Sequence, residues 1–249
     1  MLCTENESGD EDAGGDAAAV ARRANAAAQA EGEAWTAEEA WIGCASQAAS
    51  VVVVEAPCAC GAARGGRRGK SAAPAGVSRG ARGAVQKQNF RICHLSLQRT
   101  HIHLLVEADD RRALSRGMQS FQISAAKHLN RMISKDRPGP RRRGPVFADR
   151  YYAEIIQSPL QARRALSYVL NNWRKHCEDR DSRFARWDYD WFSSGWSFPD
   201  WAEFRDDPMF HPPPQGYEPL LVRQPTTWLL ATGWKKHGLI SYREVPSAH

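Results

Sequence analysis

The 249-residue chain contains no run of about 20 apolar residues, which is the length that a membrane-spanning helix requires. Its first seven residues, Met-Leu-Cys-Thr-Glu-Asn-Glu, are acidic and lack the charge pattern of a secretory signal. Six cysteines occur, none with the paired spacing of a zinc site, and only Cys58 and Cys60 lie close together. We therefore expect reduced thiols, a cytoplasmic location and no membrane partner.

Acidic residues are almost missing from residues 111–150, where only Asp136 and Asp149 occur. The whole chain has a formal net charge of +6, which favours an anionic partner such as nucleic acid. A basic helix face followed by a basic loop broken by proline and glycine is a better match to a phosphate backbone than to water alone. The expected DNA-binding residues are Arg112, Arg116, Lys127, Arg131, Arg141, Arg142 and Arg143.

Residues 1–88 differ in composition from the rest of the chain. Residues 1–40 carry ten acidic residues against two arginines, and from Gly61 to Lys87 every charge is basic. Segregated charge with few large apolar residues is typical of disorder, so we expect a low-complexity leader that is disordered or aberrant. Val51–Val54 is a possible strand, but one too isolated to bury itself. The Gly-Lys-Ser over 69–71 is not a phosphate-binding loop, because Arg64 occupies the position of the required first glycine.

Two short apolar segments, Phe90–Gln98 and His101–Glu107, predict adjacent strands. Side chains alternate across a strand, so His101 and His103 share one face with Leu105. The other face carries Ile102, Leu104 and Val106. Two imidazoles at this spacing can converge on one divalent ion, whose third ligand must come from elsewhere. A solvated polar surface is the alternative interpretation of the pair.

A third strand is predicted within Val146–Gln157, and two helices are predicted in addition to the strands. The first follows a cap at Asp109 and Asp110 and covers about 111–134. Its apolar stripe consists of Leu114, Met118, Phe121, Ala125, Leu129 and Met132. The second begins with a capping box, Ser158 followed by Gln161, and runs to about residue 177.

Tyr168 lies at the edge of the apolar stripe of this second helix. The stripe consists of Ala162, Ala165, Leu166, Val169, Leu170 and Trp173. At its edge a hydroxyl can reach solvent or substrate, and Asn172, one turn later, projects from the same flank. Packing of Tyr168 in the core is the alternative. Beyond residue 180 the chain is rich in tryptophan, proline and glycine, and we expect its aromatic residues to anchor an irregular tail rather than to stack on bases.

Four motifs follow one another in order between residues 90 and 178. They are His101–Glu107, Leu114–Gln119, Gly144–Tyr151 and Ala165–His176. Together they resemble the REP-associated tyrosine transposases, a branch of the single-strand-DNA transposases with an HUH (His-hydrophobic-His) nuclease fold. Thr226–Leu239 is also similar to the C-terminal tail of some members.

The resemblance implies an α+β fold, with a ferredoxin-like HUH nuclease core over residues 89–180. Its antiparallel sheet would have helices packed on one face, and the tail would cover residues 181–249. In this family the fold starts with a strand and a helix, expected here within about 35–88, where the sequence shows no recognisable counterpart.

The resemblance also implies a chemistry. His101, His103 and Asn172 would hold Mg²⁺ or Mn²⁺, and Tyr168 would attack the scissile phosphate, leaving a 5′-phosphotyrosine link and a free 3′-OH. A phenol is a poor nucleophile at neutral pH, and a metal that stabilises charge on the phosphate makes its attack feasible. The substrate would be single-stranded hairpin DNA, bound by a monomer or a homodimer.

Three other interpretations stay open. The same fold could bind repeat hairpins without turnover, as a catalytically inactive or domesticated protein. A metal-dependent phosphoesterase with two His-x-Thr or His-x-Ser motifs needs a second copy, which does not occur downstream. A ribosomal or RNA-associated basic protein would explain the charge but not the position of Tyr168 beside the histidine strand.

Overall fold

A computed structural model describes residues 49–57, 77–78, 81, 88–98, 100–135, 139–147, 150–180, 188–205, 217 and 219–246. They belong to one compact unit, Gln47–His249. Most of the predicted leader, the Gly-Lys-Ser segment at 69–71 and Trp187 lie outside the described residues.

Four antiparallel strands form one sheet in the order β2-β3-β1-β4. They are β1 (Ser50–Pro57), β2 (Phe90–Leu97), β3 (His101–Ala108) and β4 (Tyr152–Ile156). This strand order is that of a ferredoxin-like sheet, so the predicted α+β class is confirmed. The two strands predicted around the histidines are also confirmed, and the strand predicted within residues 146–157 is shorter than expected.

The central strand β1 is the element that the sequence did not reveal. It pairs with β3 on one side, where Val54 lies opposite Leu104, and with β4 on the other, where Val54 lies opposite Ala153. Val52 and Val54 are completely buried. The expectation that Val51–Val54 is too isolated to bury itself is therefore wrong. A strand covered on both faces is apolar without alternation, so the short valine run gave no periodic signal.

Helix α1 (Arg111–Lys135) covers one face of the sheet. The predicted stripe is buried there as far as it is described, together with Ile102, Leu104 and Val106 of β3. Asp110 caps the helix as predicted, because its Oδ1 accepts a hydrogen bond from the Ala113 amide at 2.6 Å. Gly117 lies against the ring of Phe90, and a β-carbon at this position would overlap that ring.

Helix α2 (Pro159–Lys175) covers the opposite face, with Val51, Cys93 and Leu105 of the sheet. The prediction that the helices pack on one face is therefore wrong for α2. It holds for α1, and Val77 and Ala81 are also buried on the α1 side. The predicted capping box is present, since the Ser158 hydroxyl accepts from the Gln161 amide and the Gln161 side chain accepts from the Ser158 amide.

The C-terminal segment completes the core on the α2 side rather than trailing from the domain. Trp201 and Trp234 are almost completely buried there, and a short helix, α3 (Trp228–Ala231), packs beside them. The predicted anchoring role of the tail aromatics is thus confirmed for these residues. Within the described part of the chain, no helix is both long and apolar enough to cross a membrane.

The cysteines depart from the expectation of reduced thiols. Cys93 is a buried free thiol. Cys177, just beyond the end of α2, is disulfide-bonded. The expectation is therefore wrong for Cys177, and the reason is one that spacing in the sequence could not supply, because a disulfide joins residues that only the fold brings together.

Glu107, at the end of β3, ties the C-terminal segment to the sheet. Its buried carboxylate accepts hydrogen bonds from the amide and hydroxyl groups of both Thr226 and Thr227, at 2.8–3.0 Å, and from Arg91 at 2.9 Å. Burial by itself raises the pKa of this carboxyl, but the threonine hydrogen bonds outweigh it and leave the pKa below its ordinary value of 4.5.

We predict that Glu107→Gln lowers the free energy of unfolding at neutral pH by about 1–3 kcal/mol. Because the folded-state pKa is depressed, the contribution of the carboxylate is present above the ordinary pKa and is lost as the pH falls through the folded pKa. Urea unfolding across this range should therefore show the two proteins converging in acid. Glu154 is exposed on β4, so Glu154→Gln is the matched control and should change the free energy of unfolding little. A difference that is independent of pH would contradict this account.

Candidate active site

Strand β3 presents both histidines to α2, as the alternation predicted. His103 is completely buried, His101 is partly exposed, and their ring centres lie 4.4 Å apart in an edge-to-face arrangement. Burial holds the pKa of His103 well below its usual value, and the charges of His101, His176 and Lys175 act in the same direction. The His103 ring is therefore neutral at neutral pH and carries a nitrogen lone pair that can bind a cation.

Glu55 is a site residue that sequence reasoning missed. It ends the valine run of β1, lies directly across from His103 in the sheet, and its Oε1 is 4.0 Å from Nε2 of His101. Burial raises the pKa of Glu55, and the positive charge of Lys175 partly offsets that rise. In the sequence, Glu55 is only a single acidic residue two positions after Val53, on the same side of β1. Its place beside the histidines can be inferred only once β1 is known to pair with β3.

Helix α2 brings Tyr168 against His103. Their ring centres are 4.9 Å apart and edge-to-face, and Tyr168 is only partly buried, unlike the core residues of the same helix. Burial raises the pKa of the Tyr168 phenol to about 12, and the negative charge of Glu55 adds to the rise. The phenol is therefore protonated at neutral pH.

Asn172 lies one turn after Tyr168 and is completely buried. Within the described residues, neither its amide oxygen nor its amide nitrogen has a hydrogen-bond partner, and the same is true of both ring nitrogens of His103. A buried polar group without a partner costs about 1–3 kcal/mol, so an unpartnered Asn172 one helical turn from the residue that contacts His103 indicates a role other than stability.

The predicted ligand set fits a divalent cation. The imidazoles of His101 and His103 and the amide oxygen of Asn172 are all suitable donors for such an ion. Across the described residues no three His, Cys, Asp or Glu side chains form a metal-binding group, so a third ligand beside the two histidines would have to be another kind of donor, such as the predicted Asn172 amide oxygen.

The opposite flank of α2 is held by the C-terminal segment. Arg163 binds Glu244 through two hydrogen bonds of 2.9 and 2.8 Å, and Ser167 donates to the same carboxylate at 2.7 Å. Further along, the Asn171 amide donates to the Ser241 carbonyl at 2.9 Å, and Arg174 donates to Tyr242 at 2.6 Å. These bonds fix the rotation of α2 about its own axis, which sets the direction of Tyr168.

The predicted DNA-binding residues lie with α1, on the side of the sheet away from the histidines. Arg142 donates to Asn130 Oδ1 at 2.9 Å and Asn130 donates to the Gly144 carbonyl at 2.9 Å, so the loop around residues 141–143 folds back on the end of α1. Lys127, Arg131 and this loop therefore form one basic cluster. Arg112 and Arg116 are also exposed, but they lie more than two helical turns away along α1.

The fold and the site together define a class: an α+β protein whose His-x-His strand faces a single tyrosine on a helix. Residues 77–172 match the family model described as transposase, IS200 like. The match covers 96 of the 249 residues and bears out the predicted resemblance at the level of IS200-like transposases, which supports a transposase role in general with DNA as the partner. The matched segment contains both histidines, Tyr168 and Asn172. No curated protein matches the chain.

We predict opposite effects for two adjacent asparagines of α2. Asn172→Leu should leave the metal-free protein as stable or stabilise it by up to about 1–3 kcal/mol, because it removes an unpartnered buried amide. It should also abolish any rise in Tm on addition of Mn²⁺. Asn171→Leu, the matched control, should destabilise the protein because it loses the bond to Ser241, and it should keep the Mn²⁺ effect.

Thermal unfolding with and without Mn²⁺ measures both quantities for the two variants. An Asn172→Leu protein that keeps the full Mn²⁺-induced rise in Tm would remove Asn172 from the metal site.

Proposed function

We propose that this protein cleaves and rejoins single-stranded hairpin DNA through a covalent 5′-phosphotyrosine intermediate, with Mg²⁺ or Mn²⁺ bound at His101, His103 and Asn172. The observation that carries the proposal is the contact of the Tyr168 phenol with the His103 ring, at a place where buried donor atoms lack partners. Among the IS200-like transposases, we propose that the protein belongs to the REP-associated branch.

Tyr168 is the nucleophile in this mechanism. Its Oη forms a bond to the phosphorus while the bond from phosphorus to O3′ breaks, the phenolic proton passes to water, and the departing O3′ takes a proton from water. The phosphodiester energy is kept in the tyrosine link and is available for rejoining to another 3′-OH. When bound, a divalent ion would polarise the phosphate and stabilise the charge that develops on it.

The environment of Tyr168 explains why a cation is needed. Burial and the charge of Glu55 raise the pKa of the phenol to about 12, which disfavours the phenolate. Attack at neutral pH therefore depends on positive charge placed near the phosphate, where it stabilises the transition state more than the resting enzyme.

A binding protein without turnover is the alternative from the sequence. It drew its support from the apparent absence of the first strand of the fold, and β1 supplies that strand. The remaining difference between the two functions is whether a covalent link forms.

We predict that Tyr168→Phe abolishes the covalent link to DNA and leaves hairpin affinity nearly unchanged, because only the attacking oxygen is removed. A labelled hairpin oligonucleotide panel with Mn²⁺, resolved on a denaturing gel, measures the link, and a native gel shift measures binding. Tyr152→Phe, on the exposed surface of β4, is the control that should keep the link. A link that survives Tyr168→Phe would overturn the nucleophile assignment, and a wild-type protein that shifts the hairpin without any link would favour the binding-only function.

We also predict that Arg141→Gln with Arg143→Gln weakens DNA binding and reduces the slope of log affinity against log salt by roughly one per arginine. Both side chains are exposed, whereas Arg142 is anchored on Asn130 and is best left in place. The charge-matched control is Arg164→Gln with Arg180→Gln, both also exposed. Fluorescence anisotropy over a salt series tests this, and an unchanged slope would move the DNA path away from the cluster.

A further inference from the structure

Lys175, in the last turn of α2, reaches the nucleophile. Its Nζ lies 4.9 Å from the centre of the Tyr168 ring, a spacing typical of a cation–π contact. The two are seven positions apart, which is close to two helical turns, so both side chains project from the flank that also carries Asn172.

The neighbouring Arg174 has a structural role at this end of the helix and serves as a comparison for Lys175. Its guanidinium donates to the Tyr242 carbonyl, to Asp179 Oδ2 at 2.9 Å and to the Asp188 carbonyl at 3.0 Å. Lys175, by contrast, forms no salt bridge with any carboxylate among the described residues. Its ammonium is partly exposed and is directed to the Tyr168 ring.

The charge of Lys175 is also felt by the other members of the site. Burial raises the pKa of Glu55, and the charge of Lys175 partly offsets that rise. Burial lowers the pKa of His103, and the charge of Lys175 adds a smaller contribution in the same direction. The ammonium lies beside the Tyr168 ring, which itself contacts the His103 ring, so a phosphate attacked by Tyr168 would enter the space next to this ammonium.

We propose that Lys175 is a catalytic residue whose ammonium binds a non-bridging oxygen of the scissile phosphate beside the Tyr168 hydroxyl. This inference rests on the proposed phosphotyrosine chemistry and adds a residue to it. In the transition state the attacking and departing oxygens both bond to phosphorus, and charge collects on the non-bridging oxygens. A lysine on a flexible stem is suited to following that charge in cleavage and in rejoining.

Two other roles predict different behaviour. If Lys175 only holds the Tyr168 ring in place, its loss slows attack on any substrate, whatever the charge of the phosphate. If it only adds affinity for DNA, its loss weakens binding and leaves the cleavage rate of bound substrate unchanged. A substrate with a methylphosphonate at the scissile position separates these roles, because it replaces one charged oxygen by a neutral methyl group.

The experiment compares the full-length wild-type protein with Lys175→Met, Lys175→Arg and Lys236→Met in single-turnover formation of the DNA link, with Mn²⁺ and saturating hairpin. Lys236 is the matched control, since its Nζ also lies 4.9 Å from a ring centre, that of Trp228, and it is exposed. Each protein is tested on the phosphodiester and on the methylphosphonate, and its Tm is recorded.

We expect Lys175→Met to be slower than wild type by about 10²–10³-fold on the phosphodiester and close to wild type on the methylphosphonate. Lys175→Arg should recover part of the rate, and Lys236→Met should match wild type. Should Lys175→Met fail to fold, the same comparison is made between wild type and Lys175→Arg, for which the rate deficit should again disappear on the methylphosphonate.

Lys175→Met that cleaves the phosphodiester at the wild-type rate would overturn the proposal, and so would an equal loss of rate on both substrates. Failure of the proposed function gives a different result, because the wild-type protein itself would then form no link on either substrate.

Discussion

The pairing of β1 between β3 and β4 is the constraint on which the rest of the structure depends. It places Val52 and Val54 in the core under α1, Val51 in the core under α2, and Glu55 opposite His103. Burying a valine contributes about 1.5–3 kcal/mol, so this strand supports both layers of the fold. Without it, β3 and β4 would each expose an unpaired edge, and β4 would have no partner strand.

Helix α2 divides its polar residues between stability and chemistry. The flank that faces the C-terminal segment is bonded to that segment through the Arg163–Glu244 pair and the Asn171–Ser241 bond. The flank that faces the histidines carries the Tyr168 phenol, whose pKa is raised by burial, and the buried Asn172 amide, which has no hydrogen-bond partner among the described residues. Buried polar groups that stay unsatisfied beside a well-bonded flank are typical of a binding site, where stability is given up for a ligand.

Local rules predicted the local features. The capping box at Ser158, the cap at Asp110 and the facing of His101, His103 and Leu105 follow from short-range chemistry, and the structure contains all of them. The position of Tyr168 at the edge of a helical stripe also followed from periodicity. The contact of Tyr168 with His103 did not, because it joins elements distant in the sequence, and the motifs indicated it only through resemblance to a family.

The features that could not be predicted from the sequence depend on contacts between residues far apart in the chain. The valine run of β1 lacks alternation, its partners are far along the chain, and it lies before residues 77–172, where the family match begins. Glu55 was missed for the same reason. The disulfide at Cys177 and the side of the sheet that α2 covers are also properties of tertiary packing rather than of any single segment.

Hydrogen exchange of the β1 amides tests the central claim most directly. If β1 lies in the middle of the sheet, the amides of Val51–Val54 should exchange as slowly as those of Leu104–Val106 in β3, because both segments open only with the whole domain. Exchange of the valine segment at the rate of an unfolded chain, with β3 still protected, would contradict the account. Glu55 would then have no fixed place beside the histidines.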